Sequence, residues 1–130
     1  MTLIHGTTTT FHSNIKVAWK VAQNLNQRKK HVSIITQNNQ IVSVAGNGFE
    51  VPSRYMYRGY RSLHSEIHAF MKLNCSKDNL TLYNYRFNNA GKLRMAKPCH
   101  ICMPWCEAIF TNIVYSTTEG NVVELKGLRK

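Results

Sequence analysis

The sequence predicts an α/β layered domain with a sheet lying between helices. Helix-like and strand-like segments follow in the order α-β-β-α-β-α-β-β, and helices alternating with strands build that architecture. The 130 residues suit one domain, expected to span 1–130. Apolar content is an ordinary 43%. No apolar run approaches the ~20 residues of a membrane helix.

Ser13 or Asn14 can cap a first helix, whose apolar positions Ile15, Ala18, Val21, Ala22 and Leu25 follow helical spacing. Arg28, Lys29 and Lys30 follow its end, where cations suit the helix dipole. His31 to Thr36 and Ile41 to Ala45 read as strands. The Asn38-Asn39 pair between them tolerates positive φ and predicts a hairpin. From Gly46 to Arg61 periodicity gives way to a long loop rich in glycine, arginine and aromatics, a length usually reserved for functional segments. His64 to Leu73 reads as a helix and Leu80 to Phe87 as an alternating strand. Asn88 to Lys92 is a turn. Pro98 suits the start of a third helix ending near Phe110, because its missing N–H costs nothing there. Ile113 to Ser116 and Val122 to Leu125 are the last strands, joined by a turn at Glu119-Gly120-Asn121.

Seventeen Lys and Arg against six acidic residues give a formal net charge of +11. That excess favours anionic partners such as nucleotides or single-stranded nucleic acid, although a solvated basic surface has the same composition. The Thr-rich Met1 to Phe11 has no apolar signal-peptide core. The four cysteines include a C-x-x-C and read as reduced thiols, so a cytoplasmic setting is expected and no membrane partner.

Two short motifs stand at helix starts: His64-Ser65-Glu66 and Pro98-Cys99-His100-Ile101-Cys102. H-x-E alone is weak, and C-x-x-C alone serves redox pairs and structural zinc sites equally well. H-x-E followed by P-C-x-x-C is the signature of the zinc nucleobase deaminases. On these residues the chain resembles the cytidine deaminase-like superfamily, and His64-Ser65-Glu66-Ile67 with the late Val114-Tyr115 is similar to its deoxycytidylate-deaminase-like group. The resemblance implies a three-layer fold with a five-stranded mixed sheet between helices, and usually a dimer or tetramer. It also implies a Zn2+ cofactor. Catalytic zinc takes three protein ligands and keeps one open position, and His64, Cys99 and Cys102 supply that count. Cysteines three apart at a helix start share a face, and the dipole there favours thiolates.

By resemblance, Glu66 is the proton shuttle rather than a ligand. Zinc lowers the pKa of water towards ~7, and the resulting hydroxide attacks the amino-bearing carbon of a cytosine base. Ser65 stands where most family members carry alanine. Cys106, one helical turn beyond Cys102, reads as a buried thiol, since a fourth protein ligand would close the water position.

The substrate side is less determined. Asn47, in Gly46-Asn47-Gly48, stands where many members hold the sugar, and a turn explains it equally. Arg61, Arg86 and Tyr115 are the other candidates for substrate binding. Arg54, Arg58 and Arg61 precede His64, interleaved with Tyr55, Tyr57 and Tyr60. Arg86, Lys92, Arg94 and Lys97 precede Pro98. These clusters would suit exposed bases of a single strand, which stack on aromatics. They would equally suit the 5′-phosphate of a free nucleotide, or a subunit interface. Alternatives to a cytosine deaminase are an adenine-directed enzyme and a non-catalytic zinc protein that binds nucleic acid.

Overall fold

The computed structural model describes residues 3–5, 9–25, 30–47, 49–50, 62–63, 65–98 and 102–128. Nine strands and three helices follow in the order β1 (Leu3–His5), α1 (Thr9–Ala22), β2 (Lys30–Gln37), β3 (Gln40–Gly46), β4 (Phe49–Glu50), β5 (Ser62–Leu63), α2 (Ser65–Met71), β6 (Leu80–Phe87), β7 (Leu93–Arg94), α3 (Cys102–Ile109), β8 (Asn112–Ser116) and β9 (Val122–Lys126) among the described residues. The main sheet has the order β1-β9-β8-β6-β2-β3, with β7 paired to the end of β6. Strands β6 and β8 run parallel and every other pair is antiparallel. The sheet is therefore mixed, and α3 lies within the crossover between its parallel strands.

The five expected strands are present as β2, β3, β6, β8 and β9. The expected count of five is corrected by β1, which extends one edge, and by β7. A separate ribbon pairs β4 with β5. These additions are only two or three residues long, too short for side-chain alternation to announce them. They exist because a neighbouring strand offers an unpaired backbone edge.

The β2–β3 turn has the form expected of it. Asn38 and Asn39 take φ of 52° and 66°, the left-handed pair that matches the twist of a two-residue hairpin. The register shifts between Ile35 and Thr36, so Val42 stands as an extra residue on β3. The turn after β6 closes on Gly91 (φ 83°), where an added Cβ would lie 3.1 Å from the Trp19 ring. Asn88 Oδ1 accepts the N–H groups of Ala90 and Lys92 and holds this turn from within.

Helix α1 begins at Thr9, earlier than the cap expected at Ser13 or Asn14. No glycine or proline interrupts residues 9–13, so nothing in the sequence stops the helix from running back through them. Asn14 is buried instead of capping.

Alternation along the central strands divides the interior into two cores. Facing α1, Val32, Ile34, Tyr83, Tyr85, Phe87, Val114 and Val122 meet Ala18 and Ala22. Facing α2 and α3, Ile35, Leu82, Ile113, Tyr115, Val123 and Leu125 meet Ala69, Cys106 and Phe110. On this second face Phe70, Trp105 and Phe110 pack edge to face, with centroids 5.3 to 6.4 Å apart. The aromatic triangle fixes α2 against α3. No helix among the described residues is long and apolar enough to cross a membrane.

Candidate active site

Helix α2 is stitched to β3 by its polar side chains. Ser43 Oγ donates to the Ala69 carbonyl at 2.6 Å, and Lys72 Nζ donates to that of Val44 at 2.6 Å. His68 hydrogen-bonds the Gly46 backbone, and burial, its largest influence, draws its pKa below the ordinary value. These contacts hold the C-terminal half of α2 over the sheet, and its first turn lies on the same face. There Ser65 and Glu66 are both buried, with Glu66 only 4% exposed.

Among the described residues Glu66 has no ion-pair partner. Its hydrogen bond among these residues comes from the Ser65 hydroxyl, which donates to Oε1 at 3.2 Å. A carboxylate so enclosed is costly unless something compensates it.

The Ser65 hydroxyl touches the sheet. It lies 2.8 Å from Ser33 Oγ on β2. Ser33 in turn donates to Asn84 Oδ1, directly opposite on β6, at 2.5 Å. Asn84 Nδ2 donates onward to the Ala96 carbonyl at 2.8 Å, on the segment leading to Pro98. Ser33 and Asn84 are almost fully buried. A polar row thus crosses two strands inside an otherwise apolar layer. Neither Ser33 nor Asn84 was singled out in the sequence, because a lone Ser or Asn inside a strand carries no signal of its partners.

Cys102 opens the described part of α3 and is buried, as is Cys106 one turn later. His64, Cys99 and Arg61 lie outside the described residues. Among the described residues no three His, Cys, Asp or Glu side chains group to hold a metal. A metal site at the two motifs draws two of its three expected ligands from outside that set. Cys102 and Glu66, the two motif residues that are described, are both buried at helix starts. An imidazole with two thiolates is a donor set zinc accepts, so the residues present fit the ion.

Asn47 extends the β2–β3 ladder, its Oδ1 accepting the His31 N–H at 3.1 Å and its own N–H reaching the His31 carbonyl. Tyr115 lies beside Asn84 in register, on the α2–α3 face, and burial raises its pKa. Arg86 is half-buried, opposite His31 on one side and Arg94 on the other. Its Nε is buried without a hydrogen-bond partner among the described residues. Ser116 binds both neighbouring backbones, accepting from Arg86 N–H and donating to the Arg94 carbonyl at 2.7 Å. The structure thus brings Glu66, Cys102, Tyr115 and Arg86 to one face of the sheet.

No protein-family model matches the sequence, and no curated protein matches it significantly. The fold is similar to that of the dCMP deaminase from the cyanophage S-TIM5, whose crystal structure is a complex with dCMP and dUMP. The TM-score is 0.62 and identity 21%, over 87% of this chain and 85% of that one. The architecture is that of a cytidine deaminase-like fold, as the motifs implied.

Proposed function

We propose that this protein is a zinc-dependent hydrolase that deaminates the cytosine base of a nucleotide. The observation that carries the reading is Glu66, a buried acidic side chain whose hydrogen-bond partner among the described residues is Ser65, in the first turn of a helix packed against the Cys102 helix. A structural zinc site has no use for such a group. A deaminase has, because protons must move between water, ring nitrogen and departing amine. The likeness to an enzyme crystallised with dCMP and dUMP supports the nucleotide as substrate class.

His64, Cys99 and Cys102 would hold the zinc, which when bound supplies the Lewis acidity that makes water nucleophilic near neutral pH. Glu66 accepts a proton from the attacking water and passes it to the ring nitrogen. Once the oxygen has bonded to the carbon, Glu66 takes the remaining hydroxyl proton and delivers it to the amine, the carbon–nitrogen bond breaks, and ammonia leaves as the carbonyl forms. Tyr115 walls the same face. Arg86, set against Arg94 with an Nε that has no partner among the described residues, is suited to an anionic group of the substrate, since like charges placed opposite each other are costly without one. Arg61 and the Asn47 side chain are further proposed contacts. A second reading, cytosine in single-stranded nucleic acid, is favoured by the net charge of +11.

Zinc-loaded protein should be offered dCMP, cytidine and a cytosine-containing oligonucleotide in separate reactions. Mass spectrometry would follow the exchange of amine for carbonyl. Conversion of dCMP is expected. Conversion of the oligonucleotide alone would transfer the assignment to the second reading, and conversion of none would favour the non-catalytic zinc protein.

A further inference from the structure

We propose that Ser33 and Asn84 are positioning residues that brace the two motif segments against each other, acting through Ser65 and Ala96. The inference rests on the function proposed above and adds two residues that belong to neither motif.

The donor order along the row follows from the groups present. Asn84 spends its Nδ2 on the Ala96 carbonyl at 2.8 Å, which leaves Oδ1 as an acceptor. Ser33 must therefore be the donor to Asn84, and its lone pairs accept from Ser65. The single Ser65 proton then serves two oxygens, Ser33 Oγ at 2.8 Å and Glu66 Oε1 at 3.2 Å. Ser33 fixes the Ser65 rotor, and the Ser65 rotor addresses Glu66.

At the other end both backbone groups of Ala96 are held. Its N–H reaches the Ser116 carbonyl at 2.9 Å, and its carbonyl takes Asn84. Ala96 stands two residues before buried Pro98, and Cys99 follows immediately. Five side-chain and backbone groups drawn from α2, β2, β6 and the β7–α3 segment thus form one continuous connection. Burial excludes the water that could otherwise replace a missing member.

The test compares Ser33→Ala, Asn84→Ala, Ser65→Ala and the double variant Ser33→Ala/Ser65→Ala with Val32→Ala. Val32 is a buried neighbour on the opposite face of β2. Steady-state kinetics on the accepted substrate would be measured beside zinc release to an excess of colorimetric chelator, and thermal unfolding would rank the stability losses. Ser33→Ala and Asn84→Ala are expected to lower kcat about 10-fold with little change in KM, and to speed zinc release by a similar factor. The double variant should be scarcely worse than Ser33→Ala, because both break the same connection. Val32→Ala should lose stability yet keep wild-type kcat and zinc release.

Wild-type kinetics and zinc release in Ser33→Ala would overturn the proposal, as would equal defects in Val32→Ala at matched stability. Zinc-loaded wild type that converts no substrate would overturn the assigned reaction, while zinc release would still decide whether the row braces the cysteine segment. Protein that neither binds zinc nor turns over substrate would overturn both.

Discussion

The two faces of the sheet are built from the same strands and differ in what they bury. Against α1 the interior is apolar and aromatic, with Trp19 tilted on Phe87 at 5.2 Å and Tyr83 stacked along Tyr85. Against α2 and α3 the apolar packing continues, but Ser33, Ser65, Glu66 and Asn84 are sunk into it. The α1 face also buries polar groups, the Asn14 side chain and the Tyr85 hydroxyl among them, but singly. The other accepts desolvated polar groups, which are tolerable only because nearly every one has a partner. A connected, hydrogen-bonded row of buried polar side chains is thus the property that separates the two.

Substitutions on opposite faces should therefore separate stability from turnover. The largest effect is expected at Glu66. Glu66→Gln keeps shape and hydrogen bonding but cannot accept the proton, so kcat should fall by roughly 10²–10⁴-fold, the usual contribution of a general acid–base group. Zinc content measured by atomic absorption should stay at the wild-type level. Substantial residual activity would remove Glu66 from the mechanism.

Next come two core truncations, one on each face. Ile34→Ala beneath α1 and Leu82→Ala beneath α2 and α3 should each cost about 2–5 kcal/mol in chemical denaturation, since both side chains are completely buried. At a temperature where each variant stays folded, Ile34→Ala should keep kcat while Leu82→Ala lowers it. Equal kinetic losses would erase the distinction between the faces.

The smallest effect is expected at Tyr85. Its hydroxyl is buried on the α1 face with no hydrogen-bond partner among the described residues. Burial, followed by the adjacent Tyr83, pushes its phenol far above the ordinary 10.0. Tyr85→Phe should therefore raise stability by about 1 kcal/mol at neutral pH, the scale of an unsatisfied buried group. The pH dependence has a definite sign. Above the ordinary value the unfolded chain releases this proton while the folded chain keeps it, so stability falls as pH rises past about 10. Denaturant titrations between neutral and alkaline pH should show a shallower alkaline decline in Tyr85→Phe, with the remainder left to Tyr83 and Tyr115. A steeper decline would mean that the hydroxyl has a partner in solution.

How far the fold could be read from the sequence varies with how local its causes are. Strand β6 was legible to the residue, because Leu80, Leu82 and their alternating neighbours declare two faces without reference to the rest of the chain. The hairpin at Asn38-Asn39 was equally legible, since positive φ is a property of those two residues. The start of α1 was not. Capping preference pointed to Ser13 or Asn14, whereas the helix continues back to Thr9 and Asn14 turns inward. In the candidate site the motif spacing singled out Glu66 and Cys102, which are described in the first turns of α2 and α3. His64, Cys99 and Arg61, named by the same reasoning, fall outside the described residues.

By itself the sequence determined the α/β layering, the hairpin, the long alternating strand and the two motifs, because periodicity, turn chemistry and motif spacing act over a few residues. Only the tertiary structure decided the edge strands β1 and β7, which need a neighbour's open backbone. It alone decided that Ser33, Ser65 and Asn84 meet, across sequence separations of 32 and 51 residues. A hydroxyl or amide does not specify its partner along the chain. It takes the one that sheet register and helix docking bring within about 3 Å.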